Sequence, residues 1–445
     1  MKREYKVVLV SMSGVRVFNQ KLLEMGLTLP GFVDRSKVIA SLPSLGLLTL
    51  AAHTPPNWQV VYKEIDACDD SILREIEAEA PDLVAFSSLT ARINETYRLS
   101  GYFRQQGIKT AIGGLHVSAL PEEAAAHTDF VLQGEGENIW QQLLADIESG
   151  INRKLYSSLL TQKFAFNLEQ AKIPRYDLLD IEKYNRLTLQ TTRGCPLSCN
   201  FCAASRTISA YKKKPIAQVE KELQEIFRIW PRPFIELADD NTFVDKKWSA
   251  ALLALFARYK MKWFTECDIS IAYDDALLEQ LARSGCAQVL IGFETTYKEG
   301  LQGLDKANWK YKQWEQYQKS IEKIQSYGIS VNGCFIFGFD TDSAATMAQT
   351  EVFIKESKLS EVQITLLTPF PGTALYRQLK NENRLLADTY WDKCTLFDLN
   401  FVPKQFEVSE LEHRFQETMA NIYTRAIVQQ RKEHFKTIIK NRSLS

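Results

Sequence analysis

Two series of alternating strand-like and helix-like segments, separated by a stretch with neither pattern, constrain this chain more than any other feature. In the first series the strand signals are Tyr5–Ser11, Trp58–Ile65, Asp82–Ser87, Thr110–Gly113 and Asp129–Leu132. Helix-like periodicity falls between them, at Leu45–Ala52, Ser71–Glu79, Ile93–Gln106, Glu122–Ala126 and Glu137–Ile147. Strands joined through helices must run parallel, and a parallel sheet needs cover on both faces. Residues 1–150 are therefore expected to form an α/β domain of doubly wound, Rossmann-like or flavodoxin-like type. Within it, Met12–Ile39 is long and irregular, a length that in a compact domain is either functional or hides structure.

Residues 151–186 read as a connector, marked by Asn152, Thr161-Gln162-Lys163 and Pro174. The second series then places strands at Leu187–Thr192, Phe234–Ala238, Trp263–Asp268, Val289–Phe293, Val331–Phe337 and Val362–Leu367. Its helices are Ile216–Ile229, Lys247–Tyr259, Ala276–Ala282, Lys312–Ser326, Ala344–Lys355 and Ala374–Lys380. Six such units predict an open, partial (β/α)6 TIM barrel over residues 187–381 rather than a closed eight-fold one. Residues 382–445 form a C-terminal extension, mainly helical, with a helix predicted near Ser409–Ile427.

Charge and cysteine usage narrow the function classes. Lys and Arg number 54 and Asp and Glu 54, so the net charge is zero and no nucleic-acid partner is expected. No apolar run reaches the ~18 residues of a membrane span, and Val7–Val10 is too short for a secretory signal. Of the eight cysteines, three are clustered and five scattered, which is no disulfide framework and points to a reducing cytoplasm.

The cluster is Cys195-Pro196-Leu197-Ser198-Cys199-Asn200-Phe201-Cys202, directly after the first strand of the second series. Three thiolates at CxxxCxxC spacing suit one soft metal centre. A structural zinc site takes four protein ligands, yet no fourth Cys and none of the five histidines (His53, His116, His127, His413, His434) lies near in sequence. A zinc knuckle is the plainer alternative, and the missing fourth ligand favours a reactive centre with an open position. The loop follows a strand, at the end of a parallel sheet where ligands collect.

Thr191-Thr192-Arg193-Gly194 followed by these eight residues resembles the signature loop of the radical S-adenosylmethionine (radical SAM) superfamily, with Phe201 as the aromatic before the last cysteine, which the resemblance also sets against S-adenosylmethionine. The resemblance implies that Cys195, Cys199 and Cys202 hold a [4Fe–4S] cluster. Its open iron would bind S-adenosylmethionine and, when reduced, cleave it to a 5′-deoxyadenosyl radical. Further stretches resemble the superfamily in order. Glu236-Leu237-Ala238-Asp239-Asp240-Asn241 ends the second strand, and the resemblance sets Asp239, Asp240 and Asn241 beside the methionine part of the cofactor. Glu294, in Gly292-Phe293-Glu294-Thr295, would take the ribose hydroxyls or the amino group. Ile336 and Gly338, in Cys334-Phe335-Ile336-Phe337-Gly338, would lie along the adenine, and Thr368-Pro369-Phe370-Pro371-Gly372-Thr373 follows the sixth strand. Plainer readings stand beside these: an ion pair for Glu294, helix capping for Asp239 and Asp240, a turn for Gly338.

The first domain resembles the cobalamin-binding domains fused to such barrels. The resemblance rests on Leu42-Pro43-Ser44-Leu45-Gly46, Gly113-Gly114-Leu115-His116 and Gln133-Gly134-Glu135-Gly136-Glu137, with Ser87 and Ser88 ending the central strand. It implies cobalamin contacts from Pro43, Gly46, Ser87, Ser88, Gly113, Gly114, His116, Gly134 and Glu135. The cobalt-ligating DxHxxG motif is missing, since Gly114 and Ala119 stand where its Asp and Gly would be, so no histidine of this domain is expected on the cobalt. A domain that only packs against the barrel is the plainer reading.

Cys267, Cys286 and Cys334 read as buried small hydrophobes, Cys394 lies in the tail, His413 and His434 face solvent, and Lys212-Lys213-Lys214 is a solvated run. The resemblance implies a cobalamin-dependent radical SAM enzyme that methylates an unactivated carbon of a small molecule. An external donor such as flavodoxin or ferredoxin would supply electrons. A cyclase or rearrangement enzyme without methyl transfer is the alternative. An iron–sulfur electron carrier and a zinc-stabilised binding module are more distant ones.

Overall fold

The computed structural model describes residues 3–442 apart from 13, 15–16, 25–41, 67, 161–164 and 205–206. The chain packs as two compact units, one built from the described residues of 1–15, 40–194 and 203–233, the other from those of 16–39, 195–202 and 234–445.

The first unit holds strands β1 (Tyr5–Met12), β2 (Trp58–Ile65), β3 (Leu83–Ser87), β4 (Lys109–Gly113), β5 (Phe130–Gln133) and β6 (Leu155–Ser157). They form one parallel sheet in the order β2-β1-β3-β4-β5-β6. The first five strands follow the flavodoxin-like order, which puts the topological switch point between β1 and β3. Val7, Leu9, Leu83, Ala85, Ala111, Phe130 and Leu132 pack one face against Leu47, Ala51, Trp140, Leu143 and Leu144 of two flanking helices, Leu45–His53 and Gly136–Glu148. Near-continuous Val and Leu in β1 reflect burial on both faces.

Three elements differ from expectation here. β6 arises inside the stretch read as connector, because a three-residue strand carries no periodicity to detect. A short helix, Leu115–Ala119, precedes Pro121–His127. The strand read as Leu187–Thr192 is split into β7 (Leu187–Leu189) and β8 (Thr192–Arg193), and β8 pairs antiparallel with β9 (Lys212–Lys213). The connector run 161–163 and most of Met12–Ile39 lie outside the described residues.

In the second unit, β10 (Phe234–Leu237), β11 (Lys262–Glu266), β12 (Cys286–Glu294), β13 (Ser330–Phe337) and β14 (Glu361–Leu366) pair in sequential order, all parallel. Trp263, Thr265, Val289, Ile291, Val331 and Phe335 are fully or almost fully buried on one face. The alternate residues Glu236, Glu266, Leu290, Asn332 and Cys334 are less covered. That asymmetry fits a sheet curled around an open interior. Helix starts are set locally: Asp245 caps Lys246–Tyr259, Asp274 caps Asp275–Arg283, and Ser343 with Thr346 forms a capping box on Ala344–Glu356.

The helix expected over Lys312–Ser326 is interrupted, with Trp309–Gln313, a 3₁₀ turn at Trp314–Gln316 and Tyr317–Ser326. The tail carries two helices rather than one, Val408–Ile422 and Arg425–Arg442. The second is rich in Lys, Arg and Gln, and its apolar stripe is too thin for a clear 3.6-residue period. Among the described residues no helix is long and apolar enough to cross a membrane.

Candidate active site at the strand ends

Within the second unit, the loop 195–202 is tied to the ends of four strands. Asn241, just past β10, brings its side-chain amide to 4.0 Å from Cys195 Sγ. The Asn200 N–H donates to Leu304 O (2.8 Å), in the segment after β12. The Leu375 N–H donates to Asn200 O (3.0 Å), at the start of the helix after β14. The Phe201 ring meets Phe339, past β13, edge-on with centroids 6.2 Å apart. Backbone hydrogen bonds at Asn200 and one aromatic contact thus hold the loop between its first and last cysteines.

Burial pushes the Cys199 thiol up to about 12 and also raises Cys195. The Lys310 ammonium is the main influence opposing the rise at Cys199. Metal binding to such thiols displaces their protons. Among the described residues no three Cys, His, Asp or Glu side chains gather tightly around one ion. The donor set fits an iron–sulfur cluster: three thiols of the correct softness, one approached by an amide hydrogen-bond donor and one by a cation.

β12 ends in a bulge between Gly292 and Glu294, and Glu294 adopts a left-handed φ of 65°. Bulges beside active sites re-aim side chains, and a non-glycine residue held there costs about 1–3 kcal/mol that the surroundings must supply. Here the carboxylate is turned onto Lys310 Nζ (2.8 Å), which also donates to Gly292 O (2.6 Å). Burial works against the Lys310 charge, but Glu294 outweighs it and holds the lysine protonated. A Cβ on Gly292 would collide with the Glu294 carboxylate and press on Lys310 Nζ at 3.1 Å, so any side chain there must displace the Glu294–Lys310 pair. Sequence reasoning misses Lys310, since nothing local marks a lysine in Asn308-Trp309-Lys310 as buried.

The other expected S-adenosylmethionine contacts gather at the same strand ends. Asp239 is buried and accepts from Thr242 Oγ1 at 3.3 Å. Asp240 is half-buried and Asn241 buried. Neither aspartate caps the following helix, a task Asp245 performs. Ile336 lies on the less covered face of β13. Gly338 has φ 110°, and its N–H and that of Phe339 donate to Asp342 at 2.7 and 3.0 Å, so its backbone makes a fixed turn. Burial raises Asp342 to about 6 despite these two donors. Glu266, at the end of β11, lines the open interior, where partial loss of solvent and the charges of Asp240, Glu236 and Glu294 raise its carboxyl above the ordinary value.

The first unit presents a different kind of strand end. Ser87 closes β3 at the switch point, and Ser88 Oγ donates to Leu89 O at 3.0 Å. Gly113 closes β4, and Gly114 has φ 119° with little room for a side chain, since a Cβ would stand 3.3 Å from Ser88 O. Leu89 and Leu115, beside Ser88 and Gly114, are exposed at 53% and 37%. A glycine cradle flanked by two bare leucines fits the apolar surface of a large flat ligand, and the cobalamin-type reading passes that test. The leucines escape sequence reasoning because a lone apolar residue beside a glycine carries no pattern.

Other residues expected on cobalamin are engaged elsewhere or unremarkable. His116 is buried, with Nε2 at 3.1 Å from Glu123 Oε1. A Cβ added at Gly46 would meet nothing within 4 Å, so no close approach requires glycine there. Pro43 is buried, one residue before Ser44, whose N–H donates to Tyr62 OH. Gly134 has φ 91° and donates its N–H to Ser118 Oγ at 2.8 Å. Glu135 is ion-paired to Arg193 and Lys212. The lysine run is not a solvated face: Lys212 binds Glu135, Lys214 is buried against Glu222 at 2.8 Å, and of the three Lys213 alone is exposed. Cys267 and Cys286 are buried as expected, Cys334 is half-buried and Cys394 is buried with Asn400 Nδ2 at 3.3 Å. His413 is exposed and His434 half-buried.

Comparison with known proteins matches three families: the B12 binding domain over residues 33–144, the Radical SAM superfamily over 189–354 and a domain of unknown function over 373–444. Bacteriochlorophyllide d C-12(1)-methyltransferase of Chlorobaculum tepidum is 26% identical over 398 residues, covering 87% of this chain and 84% of its own. An anaerobic magnesium-protoporphyrin IX monomethyl ester cyclase of Rubrivivax gelatinosus is 22% identical over 404 residues, covering 79% and 70%. Among solved structures, the radical S-adenosylmethionine methyltransferase TsrM of Kitasatospora setae, with cobalamin and a [4Fe–4S] cluster bound, has a TM-score of 0.68 at 16% identity. The match covers 94% of this chain and 88% of that one, a likeness of fold.

Proposed function

The chain belongs to the radical SAM superfamily, in the branch whose barrel follows a B12-binding domain, and from that premise we propose that it is a cobalamin-dependent methyltransferase acting on an unactivated carbon of a small molecule. When bound, the cluster and cobalamin would supply reductive cleavage of S-adenosylmethionine and a transferable methyl group. The protein's part is to bind, orient and exclude water.

Cys195, Cys199 and Cys202 are the residues for the cluster. Phe201 packs the loop onto the β13 end. Phe201, Asp239, Asp240, Asn241, Glu294, Ile336 and Gly338 are the residues for S-adenosylmethionine, and Lys310 joins them by fixing Glu294. The resemblance offers Pro43, Gly46, Ser87, Ser88, Gly113, Gly114, His116, Gly134 and Glu135 for cobalamin. Of these, Ser87, Ser88, Gly113 and Gly114, with Leu89 and Leu115, form the surface we assign to it. The proposed extents are 1–150 for the cobalamin-type domain, 151–186 for the connector, 187–381 for the barrel and 382–445 for the extension. An external flavodoxin or ferredoxin is the proposed electron source, and the cytoplasm the proposed setting.

The observation that carries this reading is the pairing of a tethered three-cysteine loop with Asn241, Glu294 and Lys310 at neighbouring strand ends. Anaerobic reconstitution with iron and sulfide, then dithionite and S-adenosylmethionine, should yield 5′-deoxyadenosine from the wild type and none from Cys199→Ala. A wild type that carries the cluster and yields none contradicts the reading.

A further inference from the structure

The acidic pair in Gln133-Gly134-Glu135-Gly136-Glu137 lies outside the surface assigned to cobalamin, although the resemblance offers Glu135 for it, and both side chains are about as buried as charges become: 5% exposed for Glu135 and 4% for Glu137. Buried carboxylates must be paired, and these are paired with a residue two positions before the cysteine loop. Arg193 Nη1 lies 2.8 Å from Glu135 Oε1, and Arg193 Nη2 lies 2.7 Å from Glu137 Oε1. Gln190 Oε1 accepts from Arg193 Nη2 (3.0 Å) and Nε (3.2 Å). Lys212, opposite Arg193 in the β8–β9 pair, donates to Glu135 (2.7 Å) and to Phe166 O (2.7 Å). Two carboxylates meet two cations, so no net charge remains for a ligand. Burial pushes the Glu137 carboxyl up, but the Arg193 guanidinium overcomes that and holds it below the ordinary range.

The next residue is fixed as firmly. Gly194 has φ 79°, and a Cβ there would stand 2.7 Å from Ser209 O and 2.8 Å from the Ala210 carbonyl. Cys195 follows immediately. A guanidinium bridging two carboxylates is directional in a way an ammonium is not.

We propose that Arg193, clamped by Glu135 and Glu137, is a positioning residue that fixes the backbone presenting Cys195, and that the two carboxylates serve this clamp rather than a cofactor. The inference rests on Cys195, Cys199 and Cys202 holding a cluster.

The test uses the full chain, reconstituted anaerobically with iron and sulfide, in wild type, Arg193→Met, Arg193→Lys, Glu135→Gln and Glu137→Gln. Two readouts are taken: hydroxocobalamin uptake, and the change in the reduced cluster's EPR spectrum as S-adenosylmethionine is titrated. All variants should take up cobalamin within about twofold of wild type. Arg193→Met should need at least about tenfold more S-adenosylmethionine for the spectral change, the scale of a misplaced reacting group. Arg193→Lys should recover part of that loss, and Glu137→Gln should fall between. If Arg193→Met does not fold, Arg193→Lys and Glu137→Gln carry the same test. Cobalamin uptake lost in the glutamine variants with an unchanged titration would overturn the inference, as would Arg193 variants indistinguishable from wild type. A wild type without a cluster signal overturns the cluster reading itself, a separable result.

Discussion

The two proposed strand-end sites of this chain are built on opposite principles. In the second unit, chemistry sits in side chains: thiols, an amide, a carboxylate and a lysine, each held by named partners. In the first unit, the site is a shape, made from glycine backbone at β4, serines at β3 and two bare leucines. The contrast follows from the ligands each suits. A cluster needs donors of fixed type and position, whereas a large flat cofactor needs room and an apolar floor. Substitutions should therefore fail sharply in one and by degrees in the other.

The largest expected effect is at the thiols: Cys199→Ala should lower cluster-bound iron and abolish 5′-deoxyadenosine formation, as measured by iron analysis and chromatography. Next is the Glu294–Lys310 pair. Lys310→Met strands a buried carboxylate and should cost about 3–5 kcal/mol in urea unfolding, while Lys310→Arg should cost much less. In the first unit, Gly114→Val forces a branched side chain into a positive-φ backbone against Ser88 and should cost about 1–3 kcal/mol. It should cut cobalamin uptake while leaving 5′-deoxyadenosine formation intact. Gly46→Ala, in helix Leu45–His53 with open space around it, should raise stability by about 0.4–1 kcal/mol. Equal loss of both activities in Gly114→Val would break the comparison.

A separate effect concerns pH. The Asp342 carboxyl is raised to about 6 in the fold, above its ordinary value of 3.8. The native state therefore holds its proton more tightly than the unfolded chain, and stability falls as pH rises between those values. Asp342→Asn keeps an acceptor for the Gly338 and Phe339 amides, so its thermal midpoint should exceed wild type at pH 8 and match it near pH 3.5.

Much of this is legible in the residues. The cysteine loop is a local pattern, and the strand ends follow from alternation, so Asn241, Glu294 and Gly338 fall where expected. What is not legible depends on contacts between distant segments. Glu135 is read by resemblance as a cobalamin contact, because its partners lie 58 and 77 residues away and leave no local mark. Lys212 and Lys214 look solvated until Glu135 and Glu222 close on them. Arg425–Arg442 escapes detection for the opposite reason: a long polar helix offers too little apolar periodicity.

The most direct test of the central claim is to incubate reconstituted, reduced enzyme with S-adenosylmethionine, with and without cobalamin, and to quantify both products. With cobalamin, S-adenosylhomocysteine should form alongside 5′-deoxyadenosine; without it, only 5′-deoxyadenosine should form. Enzyme loaded with cobalamin that yields 5′-deoxyadenosine and no S-adenosylhomocysteine would contradict methyl transfer.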